Sequence, residues 1–204
     1  GLYARLPTSE RDLAMNEAPA LPKFEQFHHV AFRCRDAAET CHFYRDVLGL
    51  PLSAGLAFDE ISGTGTQLRY LHLFFELGDG SFIAFFDAPD TATEEQFKRR
   101  SGFNRHVAIQ VGSLQALEIW QERLMRHGVV CEGPLDHGFV KSIYFYDPNG
   151  IQLEITARAD AYVQIMAHEH EKADEELVAW TRRTSQLKQS RGLKLPREAQ
   201  PLEP

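Results

Sequence analysis

The chain has 204 residues, 43% of them hydrophobic and 25% charged, which is enough to bury one good core or two small ones. Its formal net charge is −7 with no basic stripe, so no nucleic-acid partner is expected. No stretch reaches the roughly 18 apolar residues of a membrane span. Residues 1–25 hold no apolar run of signal-peptide length, and Cys34, Cys41 and Cys131 include no CxxC pair, so reduced thiols and a cytoplasmic location are expected.

Residues 1–25, with Pro7, Pro19 and Pro22, read as an N-terminal arm. "HHVAFRC", residues 28–34, alternates and is rich in β-formers, which predicts a strand. "DAAETCHFYRDVLGL" follows with Cys41, Tyr44, Val47 and Leu48 at helical spacing, Asp36 placed as N-cap and Gly49 as the stop. "LRYLHLFFEL" and "SFIAFFDA" read as strands joined across "GDG", and a charged connector follows over residues 91–103. The pattern then restarts. "RHVAIQV" reads as a strand, and "SLQALEIWQERLMRHG" as a helix with Leu117, Trp120 and Leu124 on one face. "SIYFYDPNGIQLEIT" reads as two strands joined by "DPNG". His29 matches His106 at a 77-residue offset, and Gly80 and Gly150 occupy the same turn of each copy, so the chain carries a loose internal repeat.

From residue 159 the composition turns charged and helical. Met166, Ala173, Leu177, Trp180, Thr184 and Leu187 fall at steps of seven, four, three, four and three. Such a seam suits packing either on the helix's own domain or on a second subunit. Residues 190–204, with Pro196, Pro201 and Pro204, read as a tail.

Strand parity selects the residues that carry chemistry, because neighbours on a strand point to opposite faces. The two "HVA" strands superpose, so His29 and His106 occupy equivalent places, each on the less apolar face. On "IQLEIT", Gln152, Glu154 and Thr156 share one face and Ile151, Leu153 and Ile155 the other. A carboxylate at the centre of such a strand is costly unless paired or metal-bound. Two histidines and a carboxylate with open positions match a non-haem Fe(II) layout; three half-buried polar residues with local hydrogen bonds are the alternative.

"HHVAFRCRDAAETCHFYRDVLGLPL", "FFELGDGSFIAFFD", "RHVAIQV" and "DHGFVKSIYFYDPNGIQLEI" resemble the vicinal oxygen chelate superfamily over about residues 26–157. That group includes glyoxalase I, bleomycin-resistance proteins, fosfomycin thiol transferases and extradiol ring-cleaving dioxygenases. The resemblance implies an α+β fold: two βαβββ modules, residues 26–90 and 104–158, forming an open mixed β-barrel around a divalent metal, with a long C-terminal helix in 159–204. It places metal ligands at His29, not His28, and at His106 and Glu154. The fourth ligand of glyoxalase I falls on Ala84, which cannot bind a metal, so the remaining His, His, Glu set resembles the extradiol dioxygenases and the fosfomycin enzymes, closest to the one-domain type I extradiol dioxygenases. Tyr144, ten residues before Glu154, stands where extradiol and fosfomycin enzymes have a tyrosine. The Ser- and Glu-rich potassium loop of the fosfomycin enzymes is replaced by "DHGFVKS", and the second catalytic histidine of extradiol enzymes has no clear counterpart.

The resulting expectation is an Fe(II)-dependent dioxygenase that uses O2 to cleave a catechol-like ring, with Tyr144 and His137 as catalytic residues. His72 and Gln152 are expected at the substrate, His28 is expected to be structural, and His168 and His170 to lie on a solvated helix face. The alternatives are a Mn(II)- or Zn(II)-dependent lyase, isomerase or thiol transferase, and a metal-free protein that binds a small molecule. A homo-oligomer with no membrane partner is expected.

Overall fold

Two copies of one strand–helix–three-strand unit account for most of residues 21–193, the part of the chain that the computed structural model describes. Most of the N-terminal arm and of the proline-bearing tail lies outside those residues. The first unit comprises β1 (His29–Cys34), α1 (Ala37–Cys41), β2 (Leu52–Glu60), β3 (Gln67–Glu76) and β4 (Phe82–Asp87). The second comprises β5 (His106–Val111), α2 (Leu114–Arg126), β6 (Glu132–Asp136), β7 (Val140–Tyr146) and β8 (Gln152–Arg158), and α3 (Tyr162–Ser190) follows. The sheet orders are β1-β4-β3-β2 and β5-β8-β7-β6, so each unit pairs its first strand in parallel with its last. The expected architecture is present, but within one chain the two sheets remain separate and do not close around a common centre.

Local chemistry explains the boundaries. Asp36 caps α1 by accepting the Glu39 N–H at 2.7 Å, and Gly49 follows in the left-handed region. Between them the helix widens into a π turn over His42–Val47, which brings the adjacent Phe43 and Tyr44 inward together. Ser113 caps α2 by accepting from Ala116 N at 3.1 Å. Strands β2 and β6 were not among the strands read from local pattern. Of the two, β2 alternates cleanly, with Leu52, Ala54, Leu56 and Phe58 on one parity.

One core serves both units. The inner faces of the sheets contribute Leu73, Phe75, Ile83 and Phe85 on one side and Ile143, Phe145, Leu153 and Ile155 on the other. Tyr44 is fully buried between them, its ring 4.7 Å from Phe85, and burial of such a side chain stabilises by roughly 1.5–3 kcal/mol. Its hydroxyl donates to Asp147 Oδ2 at 3.0 Å. Asn149 accepts from Arg35 N at 2.9 Å and donates to Thr40 Oγ1 at 3.2 Å, while Arg123 donates to Val47 O at 2.7 Å. These bonds clasp the helix side of each unit to the other. The opposite faces of both sheets are left outward, and a crevice of about 760 Å³, lined by Ala31, Arg33, Asn104 and Arg105, lies between β1 and the start of β5.

Helix α3 is anchored at its start, where Arg158 lies 4.3 Å from the Tyr162 ring. No residue of α3 is buried, and Leu177 and Trp180 are 63% and 50% exposed, so the seam finds no cover among the described residues. Among the described residues no helix is long and apolar enough to cross a membrane.

Candidate metal centre

The outer face of the second sheet gathers most of the candidate residues. Register places His106 opposite Gln152 and Tyr144 opposite Glu154, so His106, Gln152, Glu154 and Tyr144 share the face that alternation turns away from Leu153 and Phe145. Glu154 is 7% exposed. One carboxylate oxygen accepts from Ser142 Oγ at 2.5 Å; the other lies 3.4 Å from His106 Nε2.

The His106 ring is oriented from behind. Its Nδ1 lies 2.8 Å from the Gly102 carbonyl, which can only accept, so Nδ1 carries a proton and donates it. In a neutral ring Nε2 is then a bare lone pair directed at the Glu154 carboxyl. Two acceptors at that separation are satisfied by a shared cation, either a proton on Nε2 or a metal ion. Sequence reading missed Gly102. A Cβ there would stand 1.6 Å from Gln152 Oε1, so the connector passes close against the flexible end of the Gln152 side chain.

Tyr144 and His137 also meet. His137 Nε2 lies 2.8 Å from the Tyr144 hydroxyl, with the rings edge to face. Burial, followed by the charge of Glu154, pushes the Tyr144 phenol above its ordinary value, so it stays protonated as a donor.

His29 and His72 sit elsewhere, on the outer face of the first sheet, with ring centroids 6.2 Å apart. β1 begins at His29 and leaves His28 just outside the strand. His28 is therefore released from strand parity, and its Nδ1 approaches His29 Nδ1 at 2.8 Å. His72 stacks on Phe86 at 3.8 Å, beside Phe74, and its Nε2 is buried without a partner. Burial, then the nearby His29, holds the His72 imidazole below its ordinary value. Leu56 and Phe58 extend this apolar wall, 47% and 38% exposed.

The candidates thus fall into two groups, one on each sheet. Among the described residues no three His, Cys, Asp or Glu side chains converge on a metal position. The described residues bring two donors together, His106 and Glu154, and do not complete a three-ligand centre.

The family model described as "Glyoxalase/Bleomycin resistance protein/Dioxygenase superfamily" matches residues 26–155. Among curated proteins the chain is similar to "Putative ring-cleaving dioxygenase MhqA" of Bacillus subtilis (strain 168), at 27% identity over 130 residues, covering 62% of this chain and 38% of that relative. The chain therefore spans well under half the length of that relative. Among solved structures it is similar to a glyoxylase/bleomycin resistance protein/dioxygenase domain from Frankia sp. EAN1pec, with TM-score 0.55 and 18% identity over 68% of this chain and 95% of that one. It is also similar to the fosfomycin resistance protein FosX from Listeria monocytogenes, with TM-score 0.51 and 18% identity over 69% of this chain and 98% of that one. These structural likenesses are of fold.

Proposed function

The chain belongs to the glyoxalase/bleomycin resistance protein/dioxygenase superfamily, and from that premise we propose that it is a metal-dependent dioxygenase that opens a catechol-like ring with O2. The observation that carries this reading is His106 Nε2 facing Glu154 Oε2 at 3.4 Å, beside Tyr144 on the same face. Fe(II) is the metal proposed, because two histidines and one carboxylate with open positions suit it; Mn(II) and Zn(II) are the alternatives. His29 is proposed as the third ligand. It stands on the outer face of the first sheet, outside the face that carries His106 and Glu154. Similarity to a protein named for ring cleavage supports the reaction class, and Ala84, where a fourth carboxylate would stand, keeps a position open.

The chain's own residues supply a route for protons. With Tyr144 Oη accepting from a protonated His137 Nε2 at 2.8 Å, its own O–H is left to donate to a substrate oxygen on the Glu154 side. His137 is exposed, so the pair can carry a proton between a bound oxygen and water. The Gln152 amide lies beside His106 in register and can orient a polar substituent. His72, with Phe74 and Phe86, provides an aromatic wall with one unsatisfied nitrogen, suited to a planar ring bearing an oxygen.

The test is oxygen uptake and ring-opened absorbance across a catechol panel, after anaerobic reconstitution with Fe(II), Mn(II) or Zn(II) in parallel. Uptake by the iron form is expected. No uptake in any form, together with thiol addition or hemithioacetal isomerisation by the Mn(II) or Zn(II) form, would replace the dioxygenase reading.

A further inference from the structure

We propose that α3 pairs antiparallel with the same helix of a second copy of this chain, the two forming a coiled coil that joins the copies. The inference is independent of the metal reading above.

The first argument is the seam. With Val163 and His170 added to the positions from Met166 to Leu187, its steps alternate three and four residues without a break over residues 163–187. That is the repeat by which two helices keep one stripe against each other. Its large apolar members, Val163, Met166, Leu177, Trp180 and Leu187, are all exposed. A helix in a protein draws most of its stability from burying one face, so these 29 residues lack their main support among the described residues.

Charge gives the partner and its direction. Residues 162–175 carry Glu169, Glu171, Asp174 and Glu175 against Lys172, while residues 176–190 carry Arg182, Arg183 and Lys188 against Glu176. A parallel pair sets like half on like half. An antiparallel pair sets the acidic half of each copy on the basic half of the other. The seam agrees with that direction. A two-fold axis beside Glu175 faces Val163 with Leu187, Met166 with Thr184, His170 with Trp180, and Ala173 with Leu177 of the second copy, so the smallest seam side chain meets a large one and no position is left over. Just outside the seam, Arg183, which lies 4.6 Å from the Trp180 ring, comes opposite Glu169 of the second copy. Asp174 and Glu176 approach their own copies beside the axis, which lowers the affinity; both are exposed, so water and salt screen them. The antiparallel pair also sets the two-unit cores at opposite ends of a rod that, at 29 residues, is about 43 Å long.

Disulfide trapping reads the pairing directly. The full-length Met166→Cys, Thr184→Cys and Met166→Cys/Thr184→Cys chains are treated with a mild oxidant beside the wild type, whose Cys34, Cys41 and Cys131 set the background. Both substituted positions lie on α3 outside the core, so the two units stay folded. The double variant should run as a covalent dimer on a non-reducing gel, and each single variant should match the wild type. In the double-cysteine chain, Glu169→Arg should cut trapping about tenfold, and adding Arg183→Glu should restore it, because the swapped charges again meet across the copies. A covalent dimer from Met166→Cys alone would overturn the proposal in favour of a parallel pair. No trapping of the double variant above background would overturn it in favour of a different cover for the seam, such as residues 1–20 of the same chain. Charge reversals that fail to restore one another would overturn the register.

Discussion

His106 shows how much a single side chain can reveal. The Gly102 carbonyl fixes one ring nitrogen and Glu154 faces the other, the arrangement by which metal-ligating histidines are held. His106→Ala and Glu154→Ala should therefore copurify with little metal, measured against the wild-type content. His28→Ala should keep the metal but bind it roughly tenfold more weakly, the cost of losing a group that orients a ligand, as read by competition with a chelator. His137→Ala should slow turnover about 10²-fold while metal content stays unchanged, since the residue touches Tyr144 and no proposed ligand. At this scale the sequence was informative about His29, His106, Gln152 and Glu154, because parity on "HVA" and "IQLEIT" decides which side chains share a face. It was silent about Gly102, whose part depends on how closely Gln152 and the connector approach in space.

Among the elements, α1 and α3 depart furthest from simple periodicity. Helical spacing predicted Cys41, Tyr44, Val47 and Leu48 as the inner face of one helix. Tyr44, Val47 and Leu48 are buried as that spacing predicts, while the π turn adds Phe43 beside Tyr44 and leaves Cys41 only half-buried. A residue count alone does not reveal such a turn, because one extra residue shifts which neighbours face inward. For α3 the span predicted from the sequence matches Tyr162–Ser190 closely, but the seam of Met166, Leu177, Trp180 and Leu187 is exposed. An isolated helix of this length draws little stability from its own hydrogen bonds. Truncation after Arg158 should therefore leave the melting temperature of the two-unit core nearly unchanged, while light scattering reports a smaller or weaker oligomer. An unchanged mass would mean that the seam contributes nothing to assembly.

For the whole molecule, the relation between the units depends on groups too distant in sequence for any local pattern to connect. Tyr44 and Asp147 are 103 residues apart, and Asn149 and Thr40 are 109 apart. Repeat and parity gave the two modules, but nothing local says whether they meet by their strand edges or by their helix sides. Tyr44→Phe removes one of four donors to the buried Asp147 carboxyl and should cost about 1–3 kcal/mol in urea unfolding. The core also sets an alkaline limit. Burial pushes the Cys34 thiol from 9.0 up to about 12, so between those values the unfolded chain releases a proton that the folded chain keeps. Stability should therefore fall as pH rises through that window, with buried Tyr44 adding in the same direction above 10.0. Cys34→Ala should make the urea midpoint fall less steeply between about pH 9 and 11. The clasp between the units has one more consequence, for how the protein ages. Asn149–Gly150 is the dipeptide most prone to deamidation, through attack of the glycine nitrogen on the asparagine amide. Here that nitrogen donates to Asp147 O at 3.2 Å, and the Asn149 amide is held by Arg35, Thr40 and Asp147. Folding thus shelters the bond chemically. Each excursion to the unfolded chain exposes it, and a carboxylate formed at 149 would return beside Asp147, repel it, and bar the two halves from closing again.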